Sequence, residues 1–193
     1  HHGIDFNPTE YQDVPNLPKE YILFVGERTQ YKNFHIVANA FREISLKHPN
    51  LKLVLAGGGS INYGDSEFLM RNNILERTIQ ISATDKQLNT IYKNAICFVY
   101  PSLYEGFGLP ILEAFKNNCP VLLSNCSCFQ EIAGNAAKYF EAKSLQSLTT
   151  EIEQMIVDAP KRREMIALGN KKLLEYPLDK CISKTIELYK SIS

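Results

Sequence analysis

The sequence has no excess of charge of either sign, because 21 lysine and arginine residues are balanced by 21 aspartate and glutamate residues. A neutral chain has no basic field with which to hold nucleic acid or an anionic membrane non-specifically. Long apolar runs are also lacking: residues 95–100 are typical, whereas a bilayer-spanning helix needs about 20 such residues. Any anion that the protein binds is therefore expected at a local site.

Cysteine is sparse and shows no paired pattern. The five cysteines include no Cys-x-x-Cys pair and stand at no histidine spacing that suits zinc. We therefore expect reduced thiols, as in a cytoplasmic protein, and no metal site. Cys126 and Cys128, in the predicted turn after the fifth strand, lack a basic neighbour in sequence, so neither is expected to be reactive.

The length of 193 residues suits one well-cored domain and falls short of two domains of ordinary size. Residues 1–20 contain three prolines and few apolar residues, which predicts an extended linker outside the core. The histidines at its start, His1 and His2, fit either the native chain or a purification tag. Residues 21–175 are predicted to form the main domain, and residues 176–193 a C-terminal helix.

Short apolar runs alternate with amphipathic stretches from residue 21 onward, which is typical of strand and helix units stacked into a parallel sheet. The predicted strands span 21–25, 51–56, 78–81, 96–100 and 120–123. Helical spacing of apolar residues predicts helices over 34–47, 65–73, 85–93, a stretch from 110, and the tail beyond 144. At least five such repeats predict an α/β fold with a Rossmann-like, doubly wound parallel sheet.

Ligands in open α/β sheets bind at the carboxyl ends of the strands, which directs attention to the loops that follow them. The richest loop runs from Tyr100 to Glu113, where Gly106 and Gly108 let the backbone approach a ligand closely. Pro110, in the first helical turn, leaves the neighbouring amides unpaired and aimed outward. A helix start of this kind attracts phosphate.

Two acids flank this turn, Glu105 in the loop and Glu113 in the first turns of the helix. An acid beside an anion site needs a compensating cation, which Arg28 and Lys32 in the loop after the first strand can supply. Each feature alone has an ordinary structural explanation, since glycines serve strand-to-helix turns and a glutamate suits a helix N-terminus. Their combination favours a binding or catalytic site.

The run Glu105-Gly-Phe-Gly-Leu-Pro-x-x-Glu113 resembles the Glu-x7-Glu motif of the GT-B glycosyltransferases in family 4. Further matching segments are Gly3-Ile4-Asp5, Val25-Gly26 with Lys32-Asn33, Leu55-Ala56-Gly57, Tyr92 with Ala95, and Pro120-Val121. The resemblance implies the C-terminal half of a GT-B fold, which binds a GDP- or UDP-linked sugar and transfers the hexosyl group with retention. It also implies that no metal is needed, in agreement with the absence of an Asp-x-Asp pair.

The resemblance also implies roles for single residues. Glu105 would lie beside the anomeric centre of the sugar, and Glu113 would bind the ribose hydroxyls. Lys32 and Arg28 would neutralise the phosphates and the departing nucleoside diphosphate, although Arg28 stands one residue later than the family's pattern has it. The other implied donor contacts are Gly26, Gly106, Phe107, Gly108, Leu109, Gly57, Gly58 and Ser82. The glycines from 57 to 59 equally fit a flexible turn.

The implied partners are the nucleotide-sugar donor and an N-terminal, acceptor-binding domain of the same polypeptide. No nucleic acid is expected, and membrane contact at the inner face would come only through that other domain. The isolated chain should bind donor and transfer little, and residues 176–192 should expose apolar surface. Two other functions stay open: one half of an epimerase with the same architecture, and a noncatalytic module that binds a nucleotide sugar.

Overall fold

Six parallel strands form one sheet in the computed structural model, which describes residues 3–5 and 8–192. His1 and His2 lie outside the described residues. The strands are β1 (Tyr21–Val25), β2 (Lys52–Ala56), β3 (Thr78–Ile81), β4 (Cys97–Tyr100), β5 (Val121–Ser124) and β6 (Lys138–Phe140). Their order is β3-β2-β1-β4-β5-β6, with all neighbours parallel. The predicted Rossmann-like, doubly wound α/β fold is confirmed.

Helices connect the strands and cover both faces of the sheet. They are α1 (Phe34–Ser45), α2 (Tyr63–Arg71), α3 (Asp85–Asn94), α4 (Leu109–Lys116), α5 (Ser127–Ala133), α6 (Leu145–Val157), α7 (Ala159–Leu173) and α8 (Leu178–Ile192). Short 3-10 turns lie at Gln30–Lys32, Leu75–Arg77 and Gly134–Ala136. Helix α2 begins before its predicted start because the Asn62 side chain accepts the amide proton of Asp65 and caps it.

Alternate residues of each central strand serve two separate cores. Tyr21, Leu23 and Val25 of β1 pack in the core that α3, α4 and α5 cover, whereas Ile22 and Phe24 pack with α1 and α6. All five residues of β1 are buried. A strand buried on both faces consists of a continuous apolar run, and this is why the sequence pattern revealed it.

The five predicted strands are confirmed to within one residue at each end. Strand β6 was not predicted, because it is three residues long and only Phe140 is buried. The predicted turn around Cys126 and Cys128 is wrong, since Cys126 immediately precedes α5 and Cys128 lies in its first turn. A seven-residue helix without a side-chain cap carries little start signal in the sequence.

The N-terminal segment contacts the domain more closely than an extended linker would. Val14 is 6% exposed and joins the core under α3 and α4, so the prediction that this segment stays outside the core is wrong there. The Thr90 hydroxyl of α3 donates to the carbonyl of Gln12 at 2.7 Å, which holds the segment along that helix. Ile4 also pairs with Pro177, next to the start of α8.

Helix α8 exposes one apolar face, as predicted. Leu178, Ile182 and Ile186 recur every four residues and are 37%, 48% and 48% exposed. Within the described ranges, none of the helices has the length and apolar character needed to cross a membrane.

The crossing of α4 and α7 depends on Gly169, where a Cβ would lie 2.7 Å from Cδ1 of the buried Phe115 ring. Alanine favours helix by about 1 kcal/mol over glycine. We nevertheless expect Gly169→Ala to lower the free energy of unfolding by about 1–3 kcal/mol, because the ring has to move out of a packed core. Urea denaturation followed by circular dichroism measures the change.

The matched control is Gly64→Ala in α2, where the nearest atom to a Cβ is Oδ1 of Asn62 at 3.4 Å. This substitution should raise the free energy of unfolding through helix propensity alone. Equal stabilisation by both substitutions would contradict the tight packing of α7 on α4.

Candidate active site

The loops that follow β1 and β4 meet where the strand order reverses. The amide of Leu103 donates to the carbonyl of Tyr31 at 2.8 Å and ties the two loops together. The side-chain amide of Asn33 donates to the carbonyls of Pro101 (3.3 Å) and Ala142 (2.9 Å). Because α1 and α4 leave the sheet toward opposite faces, a cleft opens between these loops.

Lys32 and Glu105 form an ion pair across the two loops. Nζ of Lys32 lies 2.6 Å from Oε1 of Glu105, and the two side chains are 16% and 14% exposed. Nζ also lies 3.4 Å from the Tyr100 hydroxyl and 5.3 Å from the ring centroids of Tyr31 and Tyr100. Burial, reinforced by the Glu105 charge, raises the pKa of Tyr100 above its ordinary value. Tyr100 therefore stays neutral beside a fixed, partly exposed pair of opposite charges.

The glycine turn after β4 has one open end and one rigid end. A Cβ on Gly106 would meet no atom within 4 Å, and this residue is exposed. Gly108 is buried at φ +111°, where a Cβ would lie 3.1 Å from Ile111 and 3.3 Å from Phe129. Helix α4 begins at the next residue, Leu109. A ligand can thus approach the backbone at Gly106 while the packed end at Gly108 holds the turn.

Glu113 lies in a separate small pocket between α3 and α4. The Tyr92 hydroxyl donates to its Oε2 at 3.1 Å. Burial raises the pKa of the Glu113 carboxyl, the hydrogen bond from Tyr92 opposes that rise, and the charge of Asp85 adds to it. The pocket has a volume of about 200 Å³, and its lining includes Asn89 and Asn117. Oδ1 of Asn117 is buried and has no hydrogen-bond partner within the described chain. The pocket is therefore rich in hydrogen-bond acceptors.

Arg28 does not join Lys32 at the Glu105 carboxylate. Its Nε donates to Oδ2 of Asp65 at 3.0 Å, with the two side chains 3% and 7% exposed. The remaining guanidinium contacts go to Gln80 and to the backbone after β2. The structure thus places only one of the two predicted cations beside the acid.

The other predicted glycines line the same edge of the sheet. Gly57 and Gly58 follow β2, are exposed, and have φ of +70° and +68°. A Cβ on Gly58 would lie 2.2 Å from the carbonyl oxygen of Gly26, so the loops after β1 and β2 touch backbone to backbone. This contact shows a packing requirement for glycine that a merely flexible turn would not have. Ser82 is exposed immediately after β3.

The predicted contacts at Phe107 and Leu109 differ in exposure. The Phe107 ring packs edge-on against Tyr176, with 5.9 Å between centroids, whereas Leu109 is 41% exposed. The sulfur atoms of Cys126 and Cys128 lie 3.5 Å apart near this turn. Burial raises the pKa of Cys128 to about 11, with contributions from Cys126 and the Glu105 charge. The expectation of an unreactive thiol agrees with this value for Cys128.

Two residues of this arrangement escaped prediction as site residues. Tyr92 is fully buried in α3, and its sequence signal is that a buried tyrosine hydroxyl needs a partner. Asp65 gives no such signal, because 37 positions separate it from Arg28 and only the fold brings them together. In the described part of the chain, no group of three or more histidine, cysteine, aspartate or glutamate side chains could hold a metal ion.

The family model described as Glycosyl transferases group 1 matches residues 9–172, and the chain belongs to this family. Among curated proteins, the O-antigen chain mannosyltransferase B of Escherichia coli is 30% identical over 176 residues, which cover 88% of this chain and 45% of that protein. The chain thus spans less than half the length of this relative.

Two solved structures illustrate the shared fold. The C-terminal domain of a glycosyl transferase group 1 family protein (LpcC) from Francisella tularensis aligns with a TM-score of 0.76 at 20% identity, covering 90% of this chain and 97% of that one. A pneumococcal O-GlcNAc transferase, GtfA, in complex with UDP and GlcNAc, aligns with a TM-score of 0.78 at 16% identity, covering 98% and 38%. At these identities the likeness concerns the fold.

The raised pKa of Glu113 predicts a pH-dependent cost of keeping this acid in the fold. A carboxyl whose pKa is raised on folding favours the fold most below its unfolded pKa, and that contribution is lost as the pH rises through the folded value. A glutamine at this position stays neutral. We therefore expect Glu113→Gln to gain stability over the wild type as the pH rises from about 4 to about 7.

Urea denaturation of both proteins across this pH range measures the effect. Glu187→Gln, which removes the charge of an exposed glutamate of α8, is the matched control for loss of a carboxylate. A stability difference between Glu113→Gln and the wild type that stays constant with pH would contradict the perturbed state of this carboxyl.

Proposed function

We propose that the chain is the C-terminal, donor-binding domain of a retaining GT-B glycosyltransferase of family 4. Its donor is a nucleotide diphosphate sugar, GDP- or UDP-linked, and the transferred group is a hexosyl unit. The observation that carries the proposal is the Lys32–Glu105 ion pair, which lies beside the open backbone of Gly106 at the reversal of the sheet. Cation, acid and accessible backbone are the groups that an anionic sugar donor requires.

Lys32 stabilises the leaving group in this mechanism. When the donor enters, the ammonium of Lys32 turns from Glu105 toward the diphosphate, whose negative charge grows as the bond to the sugar breaks. Once it contacts the diphosphate, this cation stabilises the larger charge of the transition state more than the charge of the ground state, and this difference lowers the barrier. Glu105 lies next to the sugar and balances positive charge that develops at the anomeric carbon. The nucleoside diphosphate leaves with the electron pair of the broken bond. The acceptor oxygen forms the new bond on the same face of the sugar and gives its proton to the departing diphosphate oxygen.

Glu113 and the helix start hold the remainder of the donor. The Glu113 carboxylate accepts hydrogen bonds from the two ribose hydroxyls while the Tyr92 hydroxyl holds it in place. The backbone from Gly106 to Leu109 holds the phosphates and sugar hydroxyls at the N-terminus of α4, and Gly26, Gly57, Gly58 and Ser82 border the nucleoside. The relatives add support: one is an O-antigen chain mannosyltransferase, and GtfA was solved with UDP and GlcNAc. The process is thus polysaccharide biosynthesis.

The acceptor belongs to an N-terminal domain of the same polypeptide. The chain spans 45% of the mannosyltransferase relative, and the exposed apolar face of α8 offers a surface for a second domain. The chain alone then binds the donor and transfers little. We place the enzyme in the cytoplasm, with any contact to the inner face of the membrane through the other domain and with no nucleic-acid partner.

The epimerase alternative is not favoured, because the curated relatives are named transferases.

Calorimetric titration of the chain with GDP, UDP and ADP tests the donor site. We expect one nucleotide to bind selectively, and Lys32→Ala to weaken its binding by about tenfold or more through loss of a charged contact to phosphate. Lys47→Ala is the matched control, because Lys47 forms an ion pair of the same 2.6 Å length with Glu153 at the surface. Binding of the nucleotide that survives Lys32→Ala undiminished would refute the role of this lysine.

Two further variants separate ribose recognition from chemistry. Glu113→Ala should abolish measurable nucleotide binding, whereas Glu105→Gln, made in the full-length enzyme, should abolish transfer and leave nucleotide binding in place. Full transferase activity of Glu105→Gln would refute the catalytic role of Glu105.

Metal independence is tested by the same titration. Because Lys32 neutralises the diphosphate, nucleotide affinity should be the same in buffer with the chelator ethylenediaminetetraacetate as in buffer with magnesium. A strong loss of affinity in the chelator would show that a metal ion takes part.

A further inference from the structure

Arg28 is the most heavily engaged side chain at this edge of the sheet. Besides its ion pair with Asp65, Nη1 donates to Oε1 of Gln80 at 3.3 Å. Its Nη2 faces three successive carbonyls, those of Gly58 at 3.4 Å, Gly59 at 3.1 Å and Ser60 at 2.7 Å. The planar guanidinium thus joins β3, α2 and the loop after β2, a set of acceptors that suits the fixed fork of an arginine.

The loop that Arg28 holds has an unusual backbone. Gly57, Gly58 and Gly59 have φ of +70°, +68° and +73°, so three left-handed residues follow one another. The carbonyl of each residue and the amide of the next share one trans peptide plane and point in opposite directions. The carbonyls of 58–60 converge on Arg28, so the amides of 59–61 point away from it, and these amides donate to no acceptor within the described chain. An ordered row of such amides is a site for oxygen acceptors of a ligand.

The burial of Arg28 and Asp65 keeps this cation in place. Both side chains are less than a tenth exposed, so moving the guanidinium to a phosphate would leave the buried Asp65 charge with no ionisable neighbour closer than Nε2 of His35, at 3.9 Å. Asn62 also donates to Asp65, at 2.8 Å, but a neutral amide does not balance the charge. Lys32, by contrast, is more exposed and bonds a single carboxylate. Of the two cations, Lys32 is the one that a diphosphate can recruit.

We propose that Arg28 is a positioning residue that holds the loop from Gly57 to Ser60 with its amides ready for the donor, and that it does not contact the diphosphate. The proposal rests on the donor site proposed above. Asp65 supports Arg28 in this role, because its carboxylate holds the guanidinium through Nε.

The two possible roles of Arg28 predict opposite effects of Asp65→Asn. If Arg28 positions the loop, removing the Asp65 charge loosens the guanidinium, and affinity for GDP or UDP falls on the order of tenfold. If Arg28 is a phosphate ligand, the same change frees it for phosphate, and affinity stays or rises. Calorimetric titration of both nucleotides into the chain measures the sign. We expect the double variant Arg28→Ala, Asp65→Asn to bind no more weakly than Arg28→Ala alone, because both act through one contact.

Arg28→Lys distinguishes the roles a second time. A lysine provides a charge for phosphate but cannot contact Asp65, Gln80 and three carbonyls together, so we expect it to bind nucleotide as weakly as Arg28→Ala. Restoration of affinity by lysine would overturn the proposal. Nuclear magnetic resonance order parameters of the backbone amides of 59–61 should be lower in Asp65→Asn than in the wild type, because the loop loses its fixed contact. Unchanged order parameters would also overturn the proposal.

Arg71→Ala is the control for loss of an arginine ion pair, since Arg71 pairs with Glu67 on the exposed side of the same helix, α2. It should leave nucleotide affinity unchanged.

If circular dichroism shows that Asp65→Asn does not fold, Gln80→Ala replaces it, because Gln80 forms hydrogen bonds with both Arg28 and the Gly57 carbonyl. That variant should lower affinity in the same direction, and unchanged affinity would overturn the proposal. If the wild type binds neither nucleotide, the donor site itself fails and this inference fails with it.

Discussion

The reversal of strand order between β1 and β4 is the constraint on which the rest of this site depends. The helices after these strands leave toward opposite faces, so the two loops face each other across a cleft. Lys32 and Glu105, 73 residues apart in sequence, meet there at 2.6 Å. In a chain with no net charge, an anion can be attracted only by a local cation such as Lys32. The position of the cleft follows from topology, and its chemistry follows from two side chains.

Two ion pairs at the same edge differ in burial, and this difference suits them to different purposes. The Arg28–Asp65 pair is almost fully enclosed, and removing either partner would strand a charge away from water. The Lys32–Glu105 pair lies partly in solvent, where each charge can exchange its partner at lower cost. The enclosed pair therefore suits a fixed structural contact, and the open pair suits a contact that changes during a reaction.

Much of this arrangement could be predicted from the sequence, and the limits of that prediction have physical causes. Strands such as β1 are continuous apolar runs, and the glycines, proline and acids around Glu105 mark a strand-to-helix turn at a ligand-binding edge. The sequence also placed Lys32 in a facing loop. It could not show that Arg28 turns toward Asp65, since both cations follow β1 and only three-dimensional packing separates them. Short elements, β6 and α5, escaped because β6 has a single buried residue and α5 is seven residues long without a side-chain cap.

The acceptors around Glu113 indicate that this pocket is held at some cost to stability. The carboxyl has a raised pKa because burial disfavours its charge, and Oδ1 of Asn117 is buried without a donor. Buried acceptors without a hydrogen bond are rare in folded proteins, and those that occur often belong to functional sites or bind ordered water or ions. Ribose hydroxyls would supply such hydrogens to Glu113, so binding would recover free energy that folding gave up. A nucleotide that binds in this pocket must therefore also stabilise the fold, in proportion to its affinity and concentration.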